Sequence, residues 1–117
     1  MEKYFVGYNQ ALALKELGFN EPCLASWNFY TNEFNYNSYP STFSSDDVIQ
    51  LPLKSQVFEW FREKHEVQSL IQEYMLNTYM YTIDDGINSD ISVVGFETFE
   101  EAETACIDKL IEIVKNK

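Results

Sequence analysis

The chain has 117 residues, 45% of them hydrophobic, with 9 Phe, 8 Tyr and 2 Trp, a composition too apolar and aromatic for a disordered chain. Its 8 Lys and Arg against 19 Asp and Glu give a net charge of −11. A protein that binds nucleic acid directly needs cations against phosphate, so direct DNA or RNA binding is not expected; the charge would steer a protein partner with a basic face toward the chain, and the preferred reading is that it serves solubility alone.

This length suits one α+β domain over residues 1–117. No apolar run approaches the roughly 18 residues of a membrane span, and MEKYFVGYNQ has no apolar core of a signal peptide, so the expectation is a cytoplasmic protein without membrane association.

In chain order, NQALALKELGF reads as a short helix, with Asn9 as N-cap, Gly18 as the left-handed residue after its end, and Phe19 folding back on the last turn. Pro22 prevents any continuation. The segment from Cys23 to Leu51 then contains no Lys or Arg, and interleaves Trp27, Phe29, Tyr30, Phe34, Tyr36, Tyr39 and Phe43 with Asn28, Asn32, Asn35 and Asn37. Its first part, Leu24 to Tyr30, is compatible with a strand. Beyond that the Asn, Ser and Pro content points to an ordered loop. Such a mixture suits a peptide or sugar site, because flat rings give contact area and amides give hydrogen bonds, and it equally suits a loop packed over the core, which is the preferred reading.

LPLKSQVFEWFREKHEV reads as an amphipathic helix, with Pro52 in its first turn and Leu53, Val57, Trp60 and Phe61 on the apolar face. His65, the one histidine, falls in the last turn, where the helix dipole favours a cation, and reads as structural. QSLIQEYML, TYMYTI and ISVVGF follow as three strands of an antiparallel meander, turning first near Asn77 and Thr78. The second turn holds Asp84, Asp85, Gly86, Asn88, Ser89 and Asp90. Its spacing is not that of a calcium loop, and a plain turn is expected.

The closing stretch TFEEAETACIDKLIEIVKNK is the clearest helix. Thr98 and Glu101 form a capping box, and Phe99, Ala102, Cys106, Leu110, Ile113 and Val114 share one face that Ile107 and Ile111 widen, which suits packing across a sheet. Glu101, Asp108 and Glu112 cluster on the far side, and Glu103 projects near the apolar stripe. The predicted architecture is thus an N-terminal helix, an aromatic loop or strand segment, a helix, a three-stranded antiparallel meander, and a C-terminal helix on the sheet.

The order helix, three strands, helix from Leu53 onward resembles that of double-stranded RNA-binding domains, as ETFEEAETACIDKL resembles the start of their last helix. That family places lysines there to grip phosphate. Here Glu97, Glu100, Glu101 and Glu103 stand in their place, so the resemblance implies a fold order and no RNA binding. A second resemblance spans most of the chain. ALALKELGFNEPCL, PLKSQVFEWFREKH and TFEEAETACIDKLIEIVK are similar to small uncharacterised proteins of Bacteroidetes-type bacteria, their prophages and their phages, which implies a mobile-element accessory protein with no assigned activity.

Function classes narrow accordingly. Cys23 and Cys106 lie far apart, with no CxxC spacing and no histidine cluster, so no zinc site, metal or other cofactor is expected, and Cys106 reads as a small buried hydrophobe. Four glycines in no phosphate-binding pattern and a lone histidine argue against an enzyme. The leading expectation is a small interaction module that binds through Trp27, Phe29, Tyr30, Phe34, Tyr36 and Tyr39, or through the acidic face of Glu101, Asp108 and Glu112. The alternatives are an acidic mimic of nucleic acid that inhibits a host defence protein, and a homo-oligomer that pairs through an edge strand of the meander.

Overall fold

The computed structural model describes residues 2–86 and 91–117. The architecture is α+β, with three α-helices and two antiparallel three-stranded sheets. The chain divides into two compact units, residues 1–56 and 57–117.

In the first unit a single 3-10 turn, Glu2–Tyr4, precedes α1 (Tyr8–Glu16). The cap of α1 is Gly7 and makes no side-chain hydrogen bond, so Asn9, expected as the cap, lies inside the first turn. The other end follows expectation. Gly18 takes φ +98°, its N–H donates to the Lys15 carbonyl at 3.0 Å, and the N–H of Phe19 donates to the Leu14 carbonyl at 2.9 Å, which closes a Schellman motif with Phe19 buried.

Strands β1 (Cys23–Asn28), β2 (Glu33–Ser41) and β3 (Val48–Leu51) form the sheet of this unit in the order β2-β1-β3. The loop expected beyond Tyr30 is therefore a hairpin arm, and the meander expected to be the one sheet is the second of two. Local chemistry explains the hairpin. The Asn28 side-chain oxygen accepts from the N–H groups of Tyr30 and Thr31 at 2.9 and 3.0 Å, and Asn32 adopts φ +60°, so the asparagines that suggested a loop build a turn. Pairs Asn28↔Glu33, Trp27↔Phe34, Ser26↔Asn35 and Ala25↔Tyr36 then run in register. Pro40 is tolerated because β2 is an edge strand and its register shifts between Ala25 and Cys23. Leu14, Ala25, Ile49 and Leu51 supply the buried apolar side chains of this unit, together with Phe5, Val6 and Cys23.

Helix α2 (Lys54–His65) starts later than the apolar pattern suggests. The Gln56 side chain accepts from the N–H of Leu53 at 3.3 Å, so Leu53 caps the helix and Pro52 lies just before it. Within the second unit Val57, Trp60 and Phe61 are buried as expected. Glu66, at φ +57°, ends the helix, and the N–H of buried Val67 reaches the Phe61 carbonyl at 3.2 Å.

Strands β4 (Gln68–Glu73), β5 (Tyr79–Asp84) and β6 (Ile91–Phe96) form the second sheet in the order β4-β5-β6, and α3 (Phe99–Lys115) packs on it. The chain as a whole therefore does not follow a single α-β-β-β-α order, because β1, β2 and β3 precede α2. Asn77, at φ +63°, turns β4 into β5. Of the second turn, Asn88, Ser89 and Asp90 lie outside the described residues. Thr98 Oγ1 accepts from the N–H of Glu101 at 3.1 Å, as a capping box requires, while the Glu101 carboxylate accepts from the N–H of Glu97 at 3.2 Å, one residue earlier than the cap. Ala102, Cys106, Ile107, Leu110 and Ile111 are the buried stripe. Ile113 and Val114 are half-buried and Phe99 is exposed, so the stripe is centred nearer to Ile107 than the sequence suggests.

Candidate functional site

In the first unit the expected aromatic residues are brought together by the β1–β2 hairpin. Cross-strand pairing puts Ala25, Trp27, Phe34 and Tyr36 on one face of the sheet, since residues two apart share a face. Two ring clusters result. Phe5 stands edge-on to Phe34 and Tyr36 at 5.5 and 6.2 Å between centroids, and Phe34 meets Tyr36 at 5.0 Å. Tyr8 lies 5.1 Å from Trp27 and 5.5 Å from Phe29. The Nε1 of Trp27 is buried without a hydrogen-bond partner.

Much of this aromatic surface is outside. Tyr30 is 86% exposed, Tyr39 81% and Phe43 64%, and Tyr36, although it meets Phe5 and Phe34, is 57% exposed. The expectation of a loop packed over the core does not hold for these four.

The asparagine amides do a different job from the one their composition suggested. Besides Asn28, the Asn35 amide donates to the Glu33 carbonyl at 3.5 Å. Asn37 Nδ2 donates to the Cys23 carbonyl at 2.9 Å and to Gln50 Oε1 at 2.7 Å, and Gln50 Nε2 donates to the Phe43 carbonyl. This relay runs from β2 past β1 to β3 and the 42–44 segment, where the backbone ladder of β2 is irregular. Amides that could bind a ligand are thereby committed to holding the fold.

In the second unit Glu101, Asp108 and Glu112 are exposed on the outer side of α3, as expected. Glu101 and Asp108 line a shallow open groove with Phe96, Glu100, Thr104 and Ala105, while Glu112 pairs with Lys109 at 3.3 Å. Beneath, the Tyr81 hydroxyl is held above its usual pKa by burial first, and then by Cys106, Glu112 and Asp108. Glu103 is half-buried.

His65 packs edge-on against Trp60 at 4.8 Å and lies 5.9 Å from Phe61, and its carbonyl accepts from Lys117 Nζ at 3.3 Å. Desolvation first, and the Lys117 charge second, lower its pKa, so the ring favours the neutral form and the expected gain from the helix dipole is outweighed. Both cysteines are buried free thiols pushed up to about 12, chiefly by burial, and so are far from reactive thiolates at neutral pH. A cavity of about 40 Å³ touches Cys23 among Ala11, Phe19, Ile49 and Pro52, room for little more than a water or two. Among the described residues no cluster of three or more His, Cys, Asp or Glu side chains is placed to hold a metal ion, and no helix is long and apolar enough to cross a membrane.

One exposed feature had no counterpart in the sequence reading. Tyr74, Met75 and Leu76, assigned to the end of a strand, form the β4–β5 turn and are exposed, with the Tyr74 N–H donating to the Thr78 carbonyl at 3.0 Å. The signal available was Asn77, whose tolerance of positive φ moves the turn two residues earlier than the apolar run implies. No protein-family model, curated protein or solved structure matches the chain.

Proposed function

We propose that the chain is a small non-catalytic interaction module that presents the rings of its β1–β2 hairpin to another protein. The observation that carries this reading is the exposure of Tyr30, Tyr36 and Tyr39 on a hairpin whose Asn28 and Asn37 side chains are already used internally. A sugar site needs side-chain amides or carboxylates aimed at hydroxyl groups. Here the available groups are flat rings with phenolic tips, which suit a protein surface that is part apolar and part polar. Tyrosine is effective in this role because it buries a large area while freezing few torsions.

The charge of −11 favours a partner with a basic face, since it speeds encounter with cations and opposes phosphate. The mobile-element origin rests on the sequence resemblance alone. The test is capture from host lysate on the immobilised full chain at physiological salt. Wild type is expected to retain a partner that the Tyr30→Ser/Tyr36→Ser/Tyr39→Ser variant loses, with both proteins folded by circular dichroism. Equal capture by both removes the hairpin from the account.

A second reading, a nucleic-acid mimic, draws on Glu101 and Asp108, which flank one groove on α3 and are separated by about 10 Å along the helix at 1.5 Å per residue. It requires competition with DNA or RNA for a host protein, abolished by Glu101→Gln/Asp108→Asn and indifferent to the tyrosines.

A further inference from the structure

Four strands lie at sheet edges, β2, β3, β4 and β6, and three of them carry a feature that discourages pairing with another chain. β2 has Pro40 and a register shift, and β3 is four residues long. β6 is broken where Gly95, at φ +99°, separates the Tyr79↔Phe96 pair from Met80↔Val94. β4 has none of these. It pairs with β5 through six successive positions, from Gln68↔Asp84 to Glu73↔Tyr79, without a shift, and contains no Pro, Gly, Lys or Arg. Its outer row of amides and carbonyls is a continuous template, with Leu70 at its middle 56% exposed.

The charges around this edge specify what it would accept. Exposed carboxylates stand at both ends, Glu66 two residues before the strand, in left-handed backbone at φ +57°, and Glu73 at its last position. A second copy paired antiparallel about Leu70 would set Glu73 opposite the other copy's Val67, one residue from its Glu66, at both ends, which brings like charges close. An extended segment with cations at its ends and apolar residues between them would meet opposite charge at both.

We infer that β4 is a docking edge for an extended basic segment of a partner protein, which adds a fourth strand to the second sheet with Lys or Arg at both ends against Glu66 and Glu73 and an apolar residue near Leu70. Main-chain hydrogen bonds supply the affinity in this mode of recognition, and the flanking charges select the segment. This site is separate from the tyrosine hairpin of the first unit and stands or falls independently of it.

The probe is a fluorescent eight-residue peptide with Lys at both ends and alternating Val and Thr between them, titrated into the full chain by anisotropy. Binding is expected, weakened at least tenfold by replacing both lysines with Glu, and abolished by N-methylating alternate backbone amides of the peptide. The Glu66→Lys/Glu73→Lys variant, altered only at exposed positions, is expected to reverse the preference and take the Glu-ended peptide. Absence of binding, indifference to N-methylation, or equal affinity for the two peptides overturns the inference. So does a homodimer in sedimentation that the same peptide cannot displace, because the edge would then belong to a second copy.

Discussion

The two units build sheets of the same number of strands and place their exposed large side chains differently. In the second, Ile83, Ile107 and Leu110 are fully buried and α3 contributes a five-residue stripe, while exposed bulky residues gather at the β4–β5 turn in Tyr74, Met75 and Leu76. In the first, the middle of the sheet is small, with Ala25 and Cys23 on β1, and the nine-residue α1 offers Ala11 and Leu14. The largest rings of β2 are left outside. A high aromatic content therefore does not measure the core here, and the surplus on one hairpin is what points to recognition.

That comparison can be strained most severely at the core of the second unit. Leu110→Ala removes a fully buried side chain and is expected to cost about 3 kcal/mol, read by urea unfolding. A loss below 1 kcal/mol would mean that α3 is not the anchor described. Asn37→Ala asks whether the amides of the first unit are structural. It strands the Cys23 carbonyl and the Gln50 side chain, and a loss of about 1 to 2 kcal/mol is expected. A neutral result would return those amides to the candidate site. Glu66→Gly relieves a non-glycine residue at φ +57° and is expected to stabilise by about 1 kcal/mol, a gain with no equivalent at Gly18, where glycine already occupies the left-handed position.

The smallest expected effect is on pH dependence. His65 has a folded pKa below its ordinary 6.5, so the unfolded chain takes up the proton more readily. The stability it contributes is complete above about pH 6.5 and declines as the pH falls through that value toward the lowered folded pKa. Melting curves between pH 7.5 and 5.5 should show a decline that is shallower in His65→Gln. An identical slope in the variant would leave His65 without a part in it.

The same contrast explains what could be read from the sequence. The second unit was legible because period and cap agree: Thr98, Glu101 and the apolar stripe each mark the same helix, and the β4 to β6 strands are rich in β-branched and aromatic residues. The first unit was obscured because its signals conflict. Asn28 and Asn32 do mark a turn, but Asn35, Asn37 and Pro40 lie within a strand that is held partly by side chains and has one free edge, so composition read as loop. β3 is too short to declare a period, and the burial of Lys54 follows from no local pattern. Of the candidate residues, the sequence located the aromatic group and the outer acids of α3, whereas only the fold separates packed Trp27 and Phe34 from free Tyr30 and Tyr39.

The central claim, that the hairpin tyrosines are surface rather than core, is tested most directly by equilibrium urea unfolding of Tyr30→Ser/Tyr39→Ser against wild type. The account predicts a change within about 1 kcal/mol for the pair, as for exposed positions away from buried networks. A loss of about 3 kcal/mol or more, the scale of a buried ring removed, would contradict it.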